Sequence, residues 1–214
     1  MLELGVKTLI AYLVGALLGS LILGRARGID VRTVGSGNAG ATNALRTQGK
    51  LFGFLVLCFD ISKGMLVVWW LPTAALPGVA ADPDVSREWL TLACALAVIV
   101  GHVYPVWFGF RGGKGVATAV GVIAAVDLKL LLPLVSSWLI VLVLTGYVGL
   151  ASMLAGVALV VACRWLEPAD PPLLGFCAVL AALLVFTHRS NIVRMWTGSE
   201  NRVRRVWLFR SRTV

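Results

Sequence analysis

Four short polar runs interrupt an apolar chain, and two of them carry the residue types that hold an oxyanion. Residues 35–46 read GSGNAGATNALR. Glycines there let the backbone turn its amides inward and approach a ligand closely, while Ser36, Asn38, Thr42 and Asn43 add neutral hydrogen-bonding groups. Arg46 closes the run with a full positive charge. Residues 101–118 read GHVYPVWFGFRGGKGVAT. Gly112, Gly113 and Gly115 surround Lys114 where a new helix is predicted to begin. Free amides, the positive end of a helix dipole and an ammonium would then face one anion. This is not a nucleotide-hydrolysing P-loop, because Gly115 rather than Ser or Thr follows Lys114 and Phe108 stands where the first glycine would be.

The other two runs sit at or within apolar stretches. Asp60 and Lys63, three residues apart in FDISKG, share a helix face and can pair. Each ionisable residue inside a span costs about 2.5–3.5 kcal/mol on insertion scales, so the pair has a purpose, either in substrate binding or in locking two helices together. Thr187, His188, Arg189, Ser190 and Asn191 begin where the last apolar stretch ends, and Gly198 and Glu200 follow. Other chemistries lack their residues. There is no carboxylate cluster for a divalent cation, so no metal and no cofactor are expected. Five residues after His102 and His188 stand Trp107 and Val193, not the Asp of a His-x4-Asp pair, and no GxSxG elbow occurs. Such a chain is rich in oxyanion holders and poor in general bases. It either binds phosphate or acts on a substrate that is already activated.

The elements that position these runs follow from composition. The 214 residues are 59% hydrophobic and 14% charged, with a mean hydropathy of +0.90. A soluble domain is nearer 45–50% apolar and about 25% charged. That excludes a soluble enzyme, a disordered chain and a small disulfide scaffold, and predicts an all-α polytopic membrane bundle forming a single domain over 1–214. The apolar stretches run over residues 4–24, 51–72, 89–107, 116–134, 135–150, 150–165 and 172–188. Seven transmembrane helices result if Asp127 and Lys129 mark a tight turn, and six if they do not. Glu3 and Lys7 precede the first stretch without the basic leader of a signal peptide, so it is read as a permanent span. Cys58, Cys94, Cys163 and Cys177 lie singly inside apolar stretches and are expected to pack.

Charge orients the bundle. The chain carries a net charge of +9, which in a soluble protein would suggest nucleic acid; here the positive-inside rule accounts for it, and no nucleic-acid partner is expected. Residues 25–50, 107–115, 147–152 and 189–214 hold fourteen of the nineteen Lys and Arg residues, and the opposite loops hold four. The C-terminus and all the glycine loops are therefore expected in the cytoplasm, and the N-terminus outside. The arginines from Arg202 to Arg212 suit an anionic-lipid surface.

The strings GSGNAGATNALR, DISKG (60–64), GHVYPVWFGFRGGKGVAT and HRSNIVRMWTGSE (188–200) resemble, in order and spacing over nearly the whole chain, the signature regions of the PlsY family of bacterial acyl-phosphate:glycerol-3-phosphate acyltransferases. The resemblance implies seven spans, short interfacial helices or loops on the cytoplasmic side, and a cytosol-facing site in the bacterial inner membrane. It also implies transfer of a fatty acyl group from acyl phosphate to the 1-hydroxyl of sn-glycerol 3-phosphate, with membrane lipid as surroundings and a monomer as a compatible state. By position, the family's catalytic and phosphate-binding residues fall on Ser36, Arg46, Lys114, His188 and Asn191. Gly37, Asn38, Gly40, Thr42, Asn43, Gly112 and Gly113 wall the loops, and Ser152, Asp60, Lys63 and Glu200 complete the expected substrate-binding set. The four runs are expected to meet at one pocket. A transporter or channel for a phosphorylated metabolite is the alternative, since binding and catalysis use the same anion holders.

Overall fold

The computed structural model describes residues 1–203 and Leu208. Regular structure among them is helical, apart from an isolated bridge between Leu76 and Val79. The chain forms two compact units, Met1–Asp127 and Leu128–Val214.

The first unit contains Leu2–Gly15 (α1), Gly19–Arg25 (α2), Ala41–Gln48 (α3), Lys50–Trp70 (α4), Arg87–Val103 (α5) and Val116–Val126 (α6). α1 runs parallel to α5, their starts joined through Glu3 and Arg87, and small residues let their backbones touch: a Cβ on Gly15 would overlap the Val98 carbonyl, and one on Gly101 the Tyr12 carbonyl. α4 and α6 pack by the same close approach, with Gly64 against Thr118 and Gly121 against Ile61. Lipid tails are as apolar as leucine, so close backbone approach supplies the attraction that hydrophobic burial supplies in water.

Each end of the unit is fixed by charge. At one end the buried Glu3 carboxylate accepts from Lys7 Nζ (2.8 Å), from Arg87 NH1 and NH2 (2.6 and 2.7 Å) and from the Asp82 amide (2.9 Å). Lys7 and Arg87 also cap the Pro72 carbonyl. This joins the start of α1 and of α5 to the loop after α4. At the other end lie both glycine loops. Trp69, Trp70 and Trp89 are exposed near the first end and Trp107 near the second, as expected of aromatic belts at a bilayer's two interfaces.

The second unit contains Leu128–Thr145 (α7), Val148–Leu166 (α8), Pro171–Thr187 (α9) and Arg189–Trp196 (α10). α8 packs on α7 and on α9. Lys129, early in α7, pairs with Glu167 at the end of α8. At the opposite end the Arg202 guanidinium lies 4.5 Å over the Tyr147 ring. Arg204, Arg205, Arg210 and Arg212, expected to meet lipid headgroups, lie outside the described residues.

Among the described residues, four helical stretches are long and apolar enough to cross a membrane: α4, Arg87–Phe108, α7 and α8. The pairs α1–α2 and α9–α10, bent by 50° and 51°, raise the number to six if each is one span. The turn expected at Asp127 is present, but the spans drawn around it differ. α6 stops at Val126 after 11 residues and α7 already begins at Leu128, so residues 116–134 are not one helix. At 1.5 Å per residue α6 is about 16 Å long, roughly half a hydrocarbon core. Hydropathy counted apolar residues correctly but could not see that one extended residue, Asp127, divides them so unequally.

Candidate active site

In the first unit the loop of residues 34–40 is shaped from within by Asn43. This buried side chain, in the first turn of α3, accepts from the Ser36 amide (2.9 Å) and donates to the carbonyls of Val31 (2.9 Å) and Val34 (3.0 Å). Gly35 and Gly37 take φ of 63° and 72°, a region that other L residues avoid. Ser20 Oγ donates to the Ala39 carbonyl at 2.8 Å and ties the loop to α2. Ser36, Thr42 and Arg46 are left exposed on this frame, with Arg46 in the last turn of α3. Asn43 was expected among the groups that wall a ligand; its amide is instead fully committed to the loop's own backbone.

The second loop returns against the end of α5. Gly112 N–H donates to Val103 O (3.2 Å) and Gly113 N–H to His102 O (3.1 Å). Both amides are therefore occupied, because the last carbonyls of α5 lack helical partners and the loop supplies them. Glycine is required at both places by close approach, since a Cβ on Gly112 would overlap the His102 carbonyl and one on Gly113 the His102 ring. Lys114 follows, half-buried, and Gly115 in the left-handed conformation (φ 83°) starts α6, so the expected helix begins where predicted.

Arg32 laces the two loops together. Its NH1 donates to the carbonyls of Phe108 (2.9 Å) and Arg111 (3.1 Å), while Nε and NH2 grip the Asp30 carboxylate. The guanidinium holds the Asp30 carboxyl below the usual aspartate range, and Asp30 in turn raises Arg32. Composition gave no sign of this strap; Arg32 reads as one more loop cation.

Beneath these loops lies a buried polar cluster. Lys63 Nζ meets Asp60 Oδ1 (2.9 Å), the carbonyls of Gly15 (3.0 Å) and Leu17 (2.8 Å), and His102 Nδ1 (3.0 Å). Asp60 Oδ1 also takes the Gly19 amide at 3.4 Å. The lysine thus satisfies carbonyls at the end of α1 and the aspartate an amide at the start of α2. The pair expected to touch substrate occupies the break in the first bent helix, with Asp60 0% and Lys63 5% exposed.

In the second unit His188 caps α9, and its Nδ1 lies 2.7 Å from the Leu184 carbonyl. A carbonyl only accepts, so Nδ1 carries a proton there. Asn191, in the first turn of α10, rests against Gly149, where a Cβ would come within 2.8 Å of its amide nitrogen. Asn191 Nδ2 donates to Glu200 Oε1 (2.7 Å) and Arg194 Nε to Glu200 Oε2 (2.6 Å). Glu200, expected at the substrate, uses both oxygens to clamp Asn191 and Arg194. Ser152, one turn along α8 from Gly149, donates to Val148 O (2.9 Å) and accepts from Trp138 Nε1 (3.2 Å). The structure therefore brings Ser36, Arg46 and Lys114 onto one framework, and His188, Asn191, Glu200 and Ser152 onto another.

These features define a class: a multi-pass helical membrane protein whose polar machinery is concentrated in glycine-lined, cation-bearing loops at helix ends. The glycerol-3-phosphate acyltransferase family model matches residues 6–198, and the chain belongs to that family. A glycerol-3-phosphate acyltransferase of Laribacter hongkongensis is 41% identical over 91% of this chain and 93% of its own length. Crystal structures of PlsY (YgiH), an integral membrane glycerol 3-phosphate acyltransferase, match in the glycerol 3-phosphate form (TM-score 0.80, 34% identity) and in the lysophosphatidic acid form (0.78, 33%). Each covers 93% of this chain and 94% of that one.

Proposed function

We propose that this protein transfers a fatty acyl group from acyl phosphate to the 1-hydroxyl of sn-glycerol 3-phosphate, giving lysophosphatidic acid and inorganic phosphate. One observation carries the reading: the matched relatives are solved with glycerol 3-phosphate and with lysophosphatidic acid, an acceptor and its acylated product, on a fold that this chain shares over nearly its whole length. The residues fit acyl phosphate as the donor. An acyl phosphate is a mixed anhydride with a good leaving group, so a site with anion holders and few bases suffices. The glycerol oxygen attacks the acyl carbon, the carbon–oxygen bond to phosphate breaks, and the departing phosphate takes the hydroxyl proton. Holding the two reactants in contact can lower such a barrier by about 7–11 kcal/mol.

In this reading Lys114 and Arg46 neutralise phosphate charge, and Ser36 with Gly37, Asn38, Gly40 and Thr42 holds the acyl phosphate. His188 and Asn191 orient glycerol 3-phosphate, and Ser152 assists. The chain works as a single acyltransferase domain over 1–214, a monomer sufficing. It crosses the bacterial inner membrane seven times with its N-terminus outside and its catalytic loops in the cytoplasm, α6 being the short crossing. The charge asymmetry supports that orientation.

The test is purified protein in detergent given acyl phosphate and glycerol 3-phosphate, with neither metal nor acyl-CoA. Lysophosphatidic acid is the expected product; inertness together with uptake of a phosphorylated solute by proteoliposomes would replace the enzyme with a transporter. His188→Gln is expected to weaken glycerol 3-phosphate binding with a partial loss of turnover. Complete loss of turnover at unchanged affinity would make His188 the obligatory base instead.

A further inference from the structure

His102 lies between the buried Asp60–Lys63 pair and the Lys114 loop. Three oxygens, from Asp60, Gly15 and Leu17, already match the three protons of the Lys63 ammonium. His102 Nδ1 is a fourth neighbour at 3.0 Å, so satisfying the lysine does not require it. His102 Nδ1 also lies 3.5 Å from Asp60 Oδ1, so the ring is braced on both members of the pair while its Nε2 faces the loop. That nitrogen abuts Gly113 so closely that a Cβ there would overlap it, while the His102 carbonyl accepts the Gly113 amide at 3.1 Å. The ring cannot swing aside without leaving Lys63, because His102 is only 2% exposed.

We infer that His102 is a positioning residue for Lys114: its imidazole, braced on Lys63, forms the stop against which Gly113 rests, so the buried pair at the α1–α2 break sets where the next residue's ammonium stands. The inference rests on the reading of Lys114 as a phosphate holder. It makes the Asp60–Lys63 pair more than a helix lock, and it explains why position 113 must lack a side chain even though its φ is not left-handed.

The experiment compares full-length protein carrying His102→Ala, Gly113→Ala and both changes, by kcat, by KM for each substrate, by affinity for inorganic phosphate and by thermal melting. Gly113→Ala is expected to cost about 10- to 100-fold in kcat/KM, because its methyl must push the ring off Lys63 and carry Lys114 away from the phosphate. His102→Ala should raise KM for a phosphate-bearing substrate more than it lowers kcat. The double variant should perform no worse than His102→Ala alone, since removing the ring makes room for the methyl. Losses that multiply would overturn the inference, as would a His102→Ala protein that melts lower but keeps its KM values. If His102→Ala does not fold, His102→Asn retains an acceptor for Lys63 with nothing at the Nε2 position, and it must rescue Gly113→Ala in the same way. The phosphate-affinity arm separates the two readings. If the wild type makes no lysophosphatidic acid, acyl transfer fails, yet the same non-additivity in phosphate binding would still establish the coupling.

Discussion

Asp30 and Arg32 show how much one half-buried pair can do when its cation also holds two carbonyls of a neighbouring loop. Arg32 depresses the Asp30 carboxyl, so the folded state binds that proton less readily than the unfolded chain, whose aspartates titrate near about 3.9. The stabilisation is complete above that value and is lost as pH falls through the lower folded value. Asp30→Asn should therefore melt below wild type at pH 7, and the gap should close as pH drops below about 4. A gap of constant size across that range would show that the carboxylate charge is not what holds Arg32. At this scale the sequence was legible by residue type but not by partner. Glycines, hydroxyls and cations announce the loops, with Ser36 and Lys114 on them and Arg46 in the last turn of α3. Asn43 and Glu200 have types equally suited to a ligand, and only the folded chain decides that their amide and carboxylate are consumed at home. The amides of Gly112 and Gly113 are likewise taken up by the last carbonyls of α5, which belong to another element.

Elements are held by what happens where they break. The first bent helix loses its backbone bonds between Gly15 and Gly19, and in hydrocarbon nothing but protein can replace them. Lys63 and Asp60, from α4, do so with opposite charges suited to the opposite dipoles of the two helix ends. Lys63→Met should therefore cost about 3–5 kcal/mol, read from melting or denaturant titration in detergent, because it leaves Asp60 as an unpaired buried charge. Changing Asp60 to Asn as well should recover part of that loss. A double variant less stable than Lys63→Met would mean that the carboxylate contributes through Gly19 or His102 rather than through its lysine. The spacing of Asp60 and Lys63 did announce that they pair. That they serve a break in a different helix did not show, because nothing between residues 4 and 24 except small residues hints that the apolar stretch is two helices.

At the scale of the whole molecule the open quantity is the number of crossings, and it turns on α6. Apolar length alone yields four to six spans. The seven-span reading proposed above, which divides the cations fourteen to four, instead puts the N-terminus and the tail on opposite sides, an odd number of crossings. α6 resolves the two if its 11 residues cross a locally thinned bilayer. Within the first unit, hydrogen bonds fix which loops share an end: Glu3 and Arg87 join the chain start to the loop after α4, and Arg32 joins the two glycine loops. α6 runs from the glycine-loop end towards the other, which places Asp127 on the side of Asp84. In a version without the four native cysteines, Asp84→Cys and Asp127→Cys should react with a membrane-impermeant maleimide on intact spheroplasts. Lys50→Cys should react only after permeabilisation. Labelling of Asp127→Cys solely from the inside would make α6 a re-entrant helix, remove one crossing and return both termini to the same side. The cation bias would then no longer orient the chain by itself.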